Sequence, residues 1–285
     1  SGKRGFMRQF ASPSVLHWSL FVVAKSLRPL HHAVEARAHI SVKRARAMST
    51  ESPMKESFQI YTESLNELNE KRERLVKASR DVTMHSKKVI FQLHRISNSN
   101  KEEVLGKAEM DLAAVTNQYV SQLVKELHGT DFWKLRRAYS PGVQEYVEAA
   151  TLCKFCRTGT LMNLDEINET LLPLCDDPTL VPLQINVLDY LSGIADLTGE
   201  LMRLAISGIS EGEVEYAENI CWFVRDIYRH LTLALPTMDD PSDMKTKMDT
   251  MLHSVMKIEK ACFGVRVRES EHARQTAGPH PVIEL

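Results

Sequence analysis

Between Pro53 and Pro141 the chain runs for 87 residues without a proline, and the only glycines in that stretch are Gly106 and Gly129. Either residue weakens a helix interior, by roughly 1 kcal/mol for Gly and 3 for Pro. A segment so free of both can form very long helices, and it lacks the turn residues that an all-β chain needs every ~10 positions. The whole sequence confirms the bias, with 12 Gly and 11 Pro in 285 residues and only 7% aromatics. A content of 43% hydrophobic and 26% charged residues describes an ordinary globular chain rather than a disordered one.

Apolar spacing supplies the rest of the helical reading. Phe58, Tyr61, Leu65, Leu68, Leu75, Val82, Val89, Leu93 and Ile96 recur mostly at three-, four- and seven-residue steps, predicting a first helix from about Glu56 to Ile96. At 1.5 Å per residue it is about 60 Å long, more than a small globule can cover, so part of it is expected to pack on another chain. Ser97-Asn98-Ser99-Asn100 ends it, because these side chains compete for backbone hydrogen bonds. Further helices are predicted at Lys101–Leu127, from Thr130-Asp131 to Thr158 with a disturbance at Pro141-Gly142, at Asp165–Leu172, Asn186–Ser207, Gly212–Leu235 and Ser242 to about Arg268. Pro173 to Pro182, with three prolines and Asp176-Asp177, reads as a loop. No segment of this body shows a period of two. The expected fold is all-α: an antiparallel bundle with an overlong first helix, forming one domain over 51–270, followed by a disordered tail at 271–285.

Residues 1–50 stand apart. Up to Met48 they hold nine Lys/Arg and one acid, Glu35, whereas the remainder carries 27 basic against 36 acidic residues. A basic, acid-poor leader fits an organelle transit segment; Lys43-Arg44-Ala45-Arg46 fits equally a nuclear-import patch, and upstream sequence before Met48 is a third reading. The acidic body excludes nucleic-acid binding by bulk charge, so any such contact must come from a local stripe. No run of 18 apolar residues is present, so no membrane-spanning helix is expected. Five scattered cysteines, Cys153, Cys156, Cys175, Cys221 and Cys262, suggest reduced thiols in an intracellular compartment. Cys153-Lys154-Phe155-Cys156 lacks the second ligand pair a zinc site needs and reads as two small apolar residues on a buried helix.

Acidic pairs are the candidate chemistry. Glu145 and Glu148 lie at i, i+3, and Asp196 and Glu200 at i, i+4, so each pair shares one helix face. Such pairs usually form a solvated face, but the second sits on a helix whose Leu188, Leu191, Ile194, Leu197, Leu201 and Leu204 leave little polar surface. Gly193 and Gly199 flank it, which predicts a close approach by a neighbouring backbone or ligand. Carboxylates there need a counter-cation: Arg203, or a metal ion. The i+3 position after Glu145 is Glu148 rather than His, which disfavours a di-iron oxidase; oxygen-only ligation favours Mg²⁺, with Mn²⁺ as the alternative. The histidines His85, His94, His128, His230 and His253 are isolated along helices and read as structural. A basic stripe of Lys77, Arg80, Lys88 and Arg95, and a cluster of Lys134, Arg136 and Arg137, could follow a phosphate backbone with Trp133 or Tyr139 for stacking. A Gly-rich phosphate loop and a Gly-x-Ser-x-Gly elbow are both missing from the sequence.

Several segments resemble the translin family, specifically its translin-associated factor X (TRAX) branch. They are Glu73 to Thr83 (ERLVKASRDVT), Phe91 to Ile96 (FQLHRI), Gln144 to Ala149 (QEYVEA), Asp165 to Asn168, the long Asp189 to Arg203 motif (DYLSGIADLTGELMR), Lys257 to Cys262 and Val265 to Arg268. The resemblance covers about residues 56–270. It implies a seven-helix translin-like fold that assembles with translin into a hollow hetero-octamer, C3PO, a Mg²⁺-dependent endoribonuclease on single-stranded RNA, cytoplasmic and nuclear. It also implies roles in RNA-silencing passenger-strand removal and tRNA processing, and a poor fit for duplex substrates. The family's catalytic acids lie in its EYVE and ADLTGE motifs, which places them on Glu145, Glu148 and Asp196, with Glu200 as the fourth. The leader, and a 173–182 loop shorter than expected, depart from the family pattern. The rival reading is a non-catalytic scaffold that stabilises translin and shapes an RNA-binding shell.

Overall fold

The computed structural model describes residues 53–97, 99–129, 133–174, 183–238 and 242–276. The expectations for the leader, most of the 173–182 loop and the tail beyond 276 lie outside these residues. The described residues form helices and turns, with no strand among them. Helix α1 spans Pro53–Leu93; α2 (Lys101–Ala114) continues through a π-helical stretch at Val115–Val120 into α3 (Ser121–Leu127) as one rod. Then follow α4 (Arg136–Thr158), α5 (Leu164–Leu171), α6 (Val187–Ser210), α7 (Val214–Ala234) and α8 (Ser242–Thr276), which makes seven rods. No helix among the described residues is long and apolar enough to cross a membrane.

Sequence neighbours pack antiparallel. Arg74 pairs with Glu126 between α1 and α3, Arg157 with Glu102 and Glu109 between α4 and α2, and Arg266 with Glu218 between α8 and α7. Rods two steps apart in this up-down order run in the same direction, as α1 with α4. One continuous core joins them, with Leu75, Leu93, Leu123, Leu152, Leu197, Leu201 and Ile220 fully buried.

α1 is 41 residues, about 60 Å. Burial begins only near Leu68, so residues 54–67, about 20 Å of helix, stand clear of the bundle with Met54, Phe58, Tyr61 and Leu65 more than 60% exposed. The described residues leave that apolar stripe largely exposed.

α4 starts at Arg136 rather than near Thr130-Asp131, and three other features of the helices have identifiable local reasons. α4 passes through Pro141 without a break. Proline removes one hydrogen bond near the helix start. The Ser79 hydroxyl bridges the disturbed turn, accepting from Gly142 N (3.0 Å) and donating to Tyr139 O (3.2 Å). A Cβ at Gly142 would lie 2.6 Å from Ser79 O, so glycine is what lets α1 come this close. Second, α8 continues to Thr276, past the expected end near Arg268, because no Gly or Pro intervenes before Gly278. Third, α5 starts at Leu164 under a capping box: Asn163 accepts from Glu166 N while the Glu166 carboxylate accepts from Asn163 N, each 2.8 Å.

Candidate acidic centre

Register between α4 and α6 is fixed first, away from the acids. Asp189, in the first turn of α6, is 0% exposed. Its carboxylate accepts from Arg136 Nη2 (2.6 Å) and Nε (3.2 Å), from Gln144 Nε2 (3.0 Å), and from the Ser140 hydroxyl. Residues 136, 140 and 144 follow at four-residue intervals, so one face of α4 grips a single carboxylate. Asn186 caps the helix by accepting from Asp189 N (2.9 Å) and also donates to the same carboxylate. One turn further on, a Cβ at Gly193 would lie 2.7 Å from Val147 Cγ1 and 2.8 Å from Gln144 O. Glycine therefore brings the two backbones into direct contact.

The acids follow from that lock. Glu148 lies eight residues beyond Ser140, a rise of about 12 Å, and Asp196 seven beyond Asp189, about 10 Å. On two parallel rods locked at the same level they arrive at nearly the same height. Electrostatics agrees: burial, then the charges of Glu145, Asp196 and Glu200, push the Glu148 carboxyl from 4.5 up to about 8. The other three predicted acids thus all act on Glu148.

Three of the four have a cation. Lys87 Nζ of α1 donates to Glu145 Oε1 at 2.8 Å, and Lys247 of α8 pairs with Asp196 and reaches Ser192 O at 3.4 Å. Glu200 binds His94 Nε2 at 2.5 Å and Arg203 Nη1 at 2.8 Å. Burial raises Glu200, but His94 and Arg203 outweigh it and hold the carboxyl below its usual range. Burial lowers Lys87, yet the Glu145 hydrogen bond and the charges of Glu145, Glu148 and Glu200 hold it above its usual value. Glu148, 7% exposed, has no ion pair or hydrogen bond to its carboxyl among the described residues, and the charge of Lys87 offsets only part of what burial and its acidic neighbours impose.

By donor type the set suits a hard divalent cation: four carboxylates, a single imidazole and no sulfur. Glu148 is the buried oxygen pair that such a charge would relieve. As the side chains stand, however, no group of three His, Cys, Asp or Glu among the described residues is arranged to hold a metal ion, and Lys87, Lys247, His94 and Arg203 occupy three of the four carboxylates. The donors fit such an ion in chemistry and charge, and accommodating one requires these ion pairs to open.

Other expectations divide. Arg203 supplies the counter-charge expected of it. Gly193 meets a neighbouring backbone, but Gly199 has nothing within 4 Å, so the chain itself provides no close approach there. Lys77, Arg80, Lys88 and Arg137 are exposed, and none has a hydrogen bond or ion pair among the described residues. Arg95 is exposed too, but lies past the end of α1 in a turn rather than on the helical stripe. Arg136 cannot serve in that set as expected, because its guanidinium is committed to Asp189. Trp133 is exposed for stacking, whereas Tyr139 is buried in the core.

Cys153, Cys156, Cys221 and Cys262 are free thiols; burial pushes Cys153 up to about 11 and Cys156 up to about 12, which makes both poor nucleophiles. Lys87, Lys247 and His94 were not legible as site residues: they lie 58, 51 and 106 positions from their acids, beyond the reach of any helical spacing rule.

Known proteins are similar to this chain in sequence and in fold. Translin-associated protein X of Rattus norvegicus is 36% identical over 250 residues, covering 82% of this chain and 85% of the relative. The homolog in Schizosaccharomyces pombe is 30% identical over 224 residues, covering 76% and 90%. Among solved structures, apo-NeC3PO has the same fold, with a TM-score of 0.56 at 20% identity over 75% of this chain and 98% of that one. The Translin family model matches residues 70–269, which hold every acid of the centre, and the chain therefore belongs to the translin family.

Proposed function

We propose that this chain is the catalytic subunit of a C3PO-like complex with translin, a Mg²⁺-dependent endoribonuclease on single-stranded RNA. The observation that carries the reading is Glu148, a buried carboxyl without a direct ion pair, within the field of three further acids on α4 and α6. A structural helix pair gains nothing from that arrangement, since each uncompensated acid costs burial energy. Glu145, Glu148 and Asp196 would hold the cation, with Glu200 completing the set or orienting a water through the His94 side. When bound, the ion supplies positive charge to the phosphoryl oxygens and acidifies a water molecule. Mn²⁺ would satisfy the same oxygen donors. Lys77, Arg80, Lys88 and Arg137 are the exposed bases available to the strand, and no base-reading module among these residues argues for sequence preference. Phe58, Tyr61 and Leu65, uncovered on α1, supply an apolar surface for translin in a hetero-octamer. Passenger-strand removal and tRNA processing are the roles that follow for such an enzyme.

The scaffold reading has one observation in its favour: the internal ion pairs leave no three acids arranged around a metal position. A single experiment separates the two. The chain is reconstituted with translin and given labelled single-stranded or duplex RNA in Mg²⁺ or EDTA. Cleavage of the single strand in Mg²⁺ alone, lost in Asp196→Ala with assembly intact, is expected; cleavage retained by that variant refutes the catalytic reading.

A further inference from the structure

The ion pairs around the acidic centre are not equivalent. At the fully buried Asp189 the fold uses arginine: the Arg136 fork grips this carboxylate through two nitrogens. At Glu145 and Asp196 it uses lysine, and each comes from a helix that carries none of the acids. Each ammonium reaches its carboxylate from the end of a flexible four-carbon stem, with side-chain exposures of 52% for Lys87 and 24% for Lys247. Either can swing into water without disturbing the packing of the helices. The two lysines together bring two positive charges, the same number that one divalent cation would bring. Exchange of one for the other leaves the net charge of the centre unchanged while gathering the carboxylates and giving Glu148 a partner.

We propose that Lys87 and Lys247 are resident counter-ions: they neutralise Glu145 and Asp196 while no divalent cation is bound and are displaced when one enters. This rests on the cation-binding reading above. It accounts for an otherwise contradictory pair of facts, namely three acids that crowd a fourth, Glu148, and no three of them arranged to share an ion. The lysines compete with the cation rather than assist it, so removing one strengthens cation binding.

The test measures Mn²⁺ affinity, by titration calorimetry, of the full chain in its complex with translin. Lys247→Met should bind Mn²⁺ about fivefold more tightly than the unaltered chain, the ratio equivalent to ~1 kcal/mol for a partly exposed ion pair. Lys260→Met, exposed 13 positions further along α8, should leave affinity unchanged. In EDTA the Lys247→Met complex should melt below the unaltered one, because Asp196 has lost its counter-charge, and saturating Mn²⁺ should close that gap. Lys247→Arg should bind Mn²⁺ more weakly, since a fork holds the carboxylate better, and it serves if the Met variant fails to assemble. Unchanged or weaker Mn²⁺ binding by Lys247→Met, with binding by the unaltered chain intact, overturns the competition and leaves the cation reading standing. If the unaltered chain binds no Mn²⁺, both fall.

Discussion

Replacing Glu148 with Gln keeps the shape of the side chain and removes its ability to ionise. In the folded protein this carboxyl titrates near 8 instead of 4.5, because burial and three neighbouring acids disfavour its charged form. Between those two values the folded state holds a proton that the unfolded state has released. Stability without a divalent cation is therefore greatest below the unfolded value and falls as pH rises through that window. At 1.36 kcal/mol per unit the loss is about 3 kcal/mol at pH 7 and about 5 kcal/mol above pH 9. Glu148→Gln does not undergo it, so in EDTA at pH 7 the variant should be the more stable protein by about 3 kcal/mol, equivalent to a melting temperature ~6–12 °C higher for a domain of this size. The assay is thermal unfolding of both proteins from pH 4.5 to 9 in EDTA, at one protein concentration because assembly shifts apparent stability. The curves should meet at the acid end and diverge upward. Saturating Mg²⁺ should then raise the unaltered protein far more than the variant. Parallel pH profiles in EDTA, or a variant less stable at pH 8, would refute the claim that these acids crowd one another.

Three further outcomes follow from the same geometry. Arg136→Ala leaves Asp189 buried without its counter-charge and should lower stability by about 3–5 kcal/mol, measured by denaturant unfolding. Gly193→Ala and Gly199→Ala should differ in sign: a methyl at 193 collides with Val147 and Gln144 O and should cost ~1–3 kcal/mol while displacing the acids, whereas one at 199 meets nothing and should gain up to about 1 kcal/mol from helix propensity. Ser86 carries the one buried side-chain hydroxyl without a partner among the described residues, so Ser86→Ala should be neutral or stabilising by up to about 1 kcal/mol in the same unfolding measurement.

The helices of this protein are written in local terms. The absence of Gly and Pro before Pro141, the apolar repeats at three and four, and the Ser-Asn stop at 97–100 set the long α1 and the rod that follows, and both form where periodicity places them. The acid pairs were legible for the same reason, since i, i+3 and i, i+4 spacings fix a shared face without any knowledge of tertiary packing. The glycine argument held for only one of two positions. Local sequence can report that a helix gives up stability at Gly193 and Gly199, but which of them faces another backbone depends on how α4 lies against α6.

What tertiary structure alone decided is the electrostatic state of the centre. The gripping of Asp189 by three residues of α4 sets two parallel rods to a common level and brings separate acid pairs into one field. The partners that answer them, Lys87, Lys247 and His94, arrive from α1, α8 and the turn after α1, between 51 and 106 positions away. A charge's partner is chosen by distance in space, and distance in space between helices is set by side-chain interlock across the core, which no spacing along one chain segment encodes. The sequence by itself determined the rods and which faces are acidic; only their packing decided which charges meet.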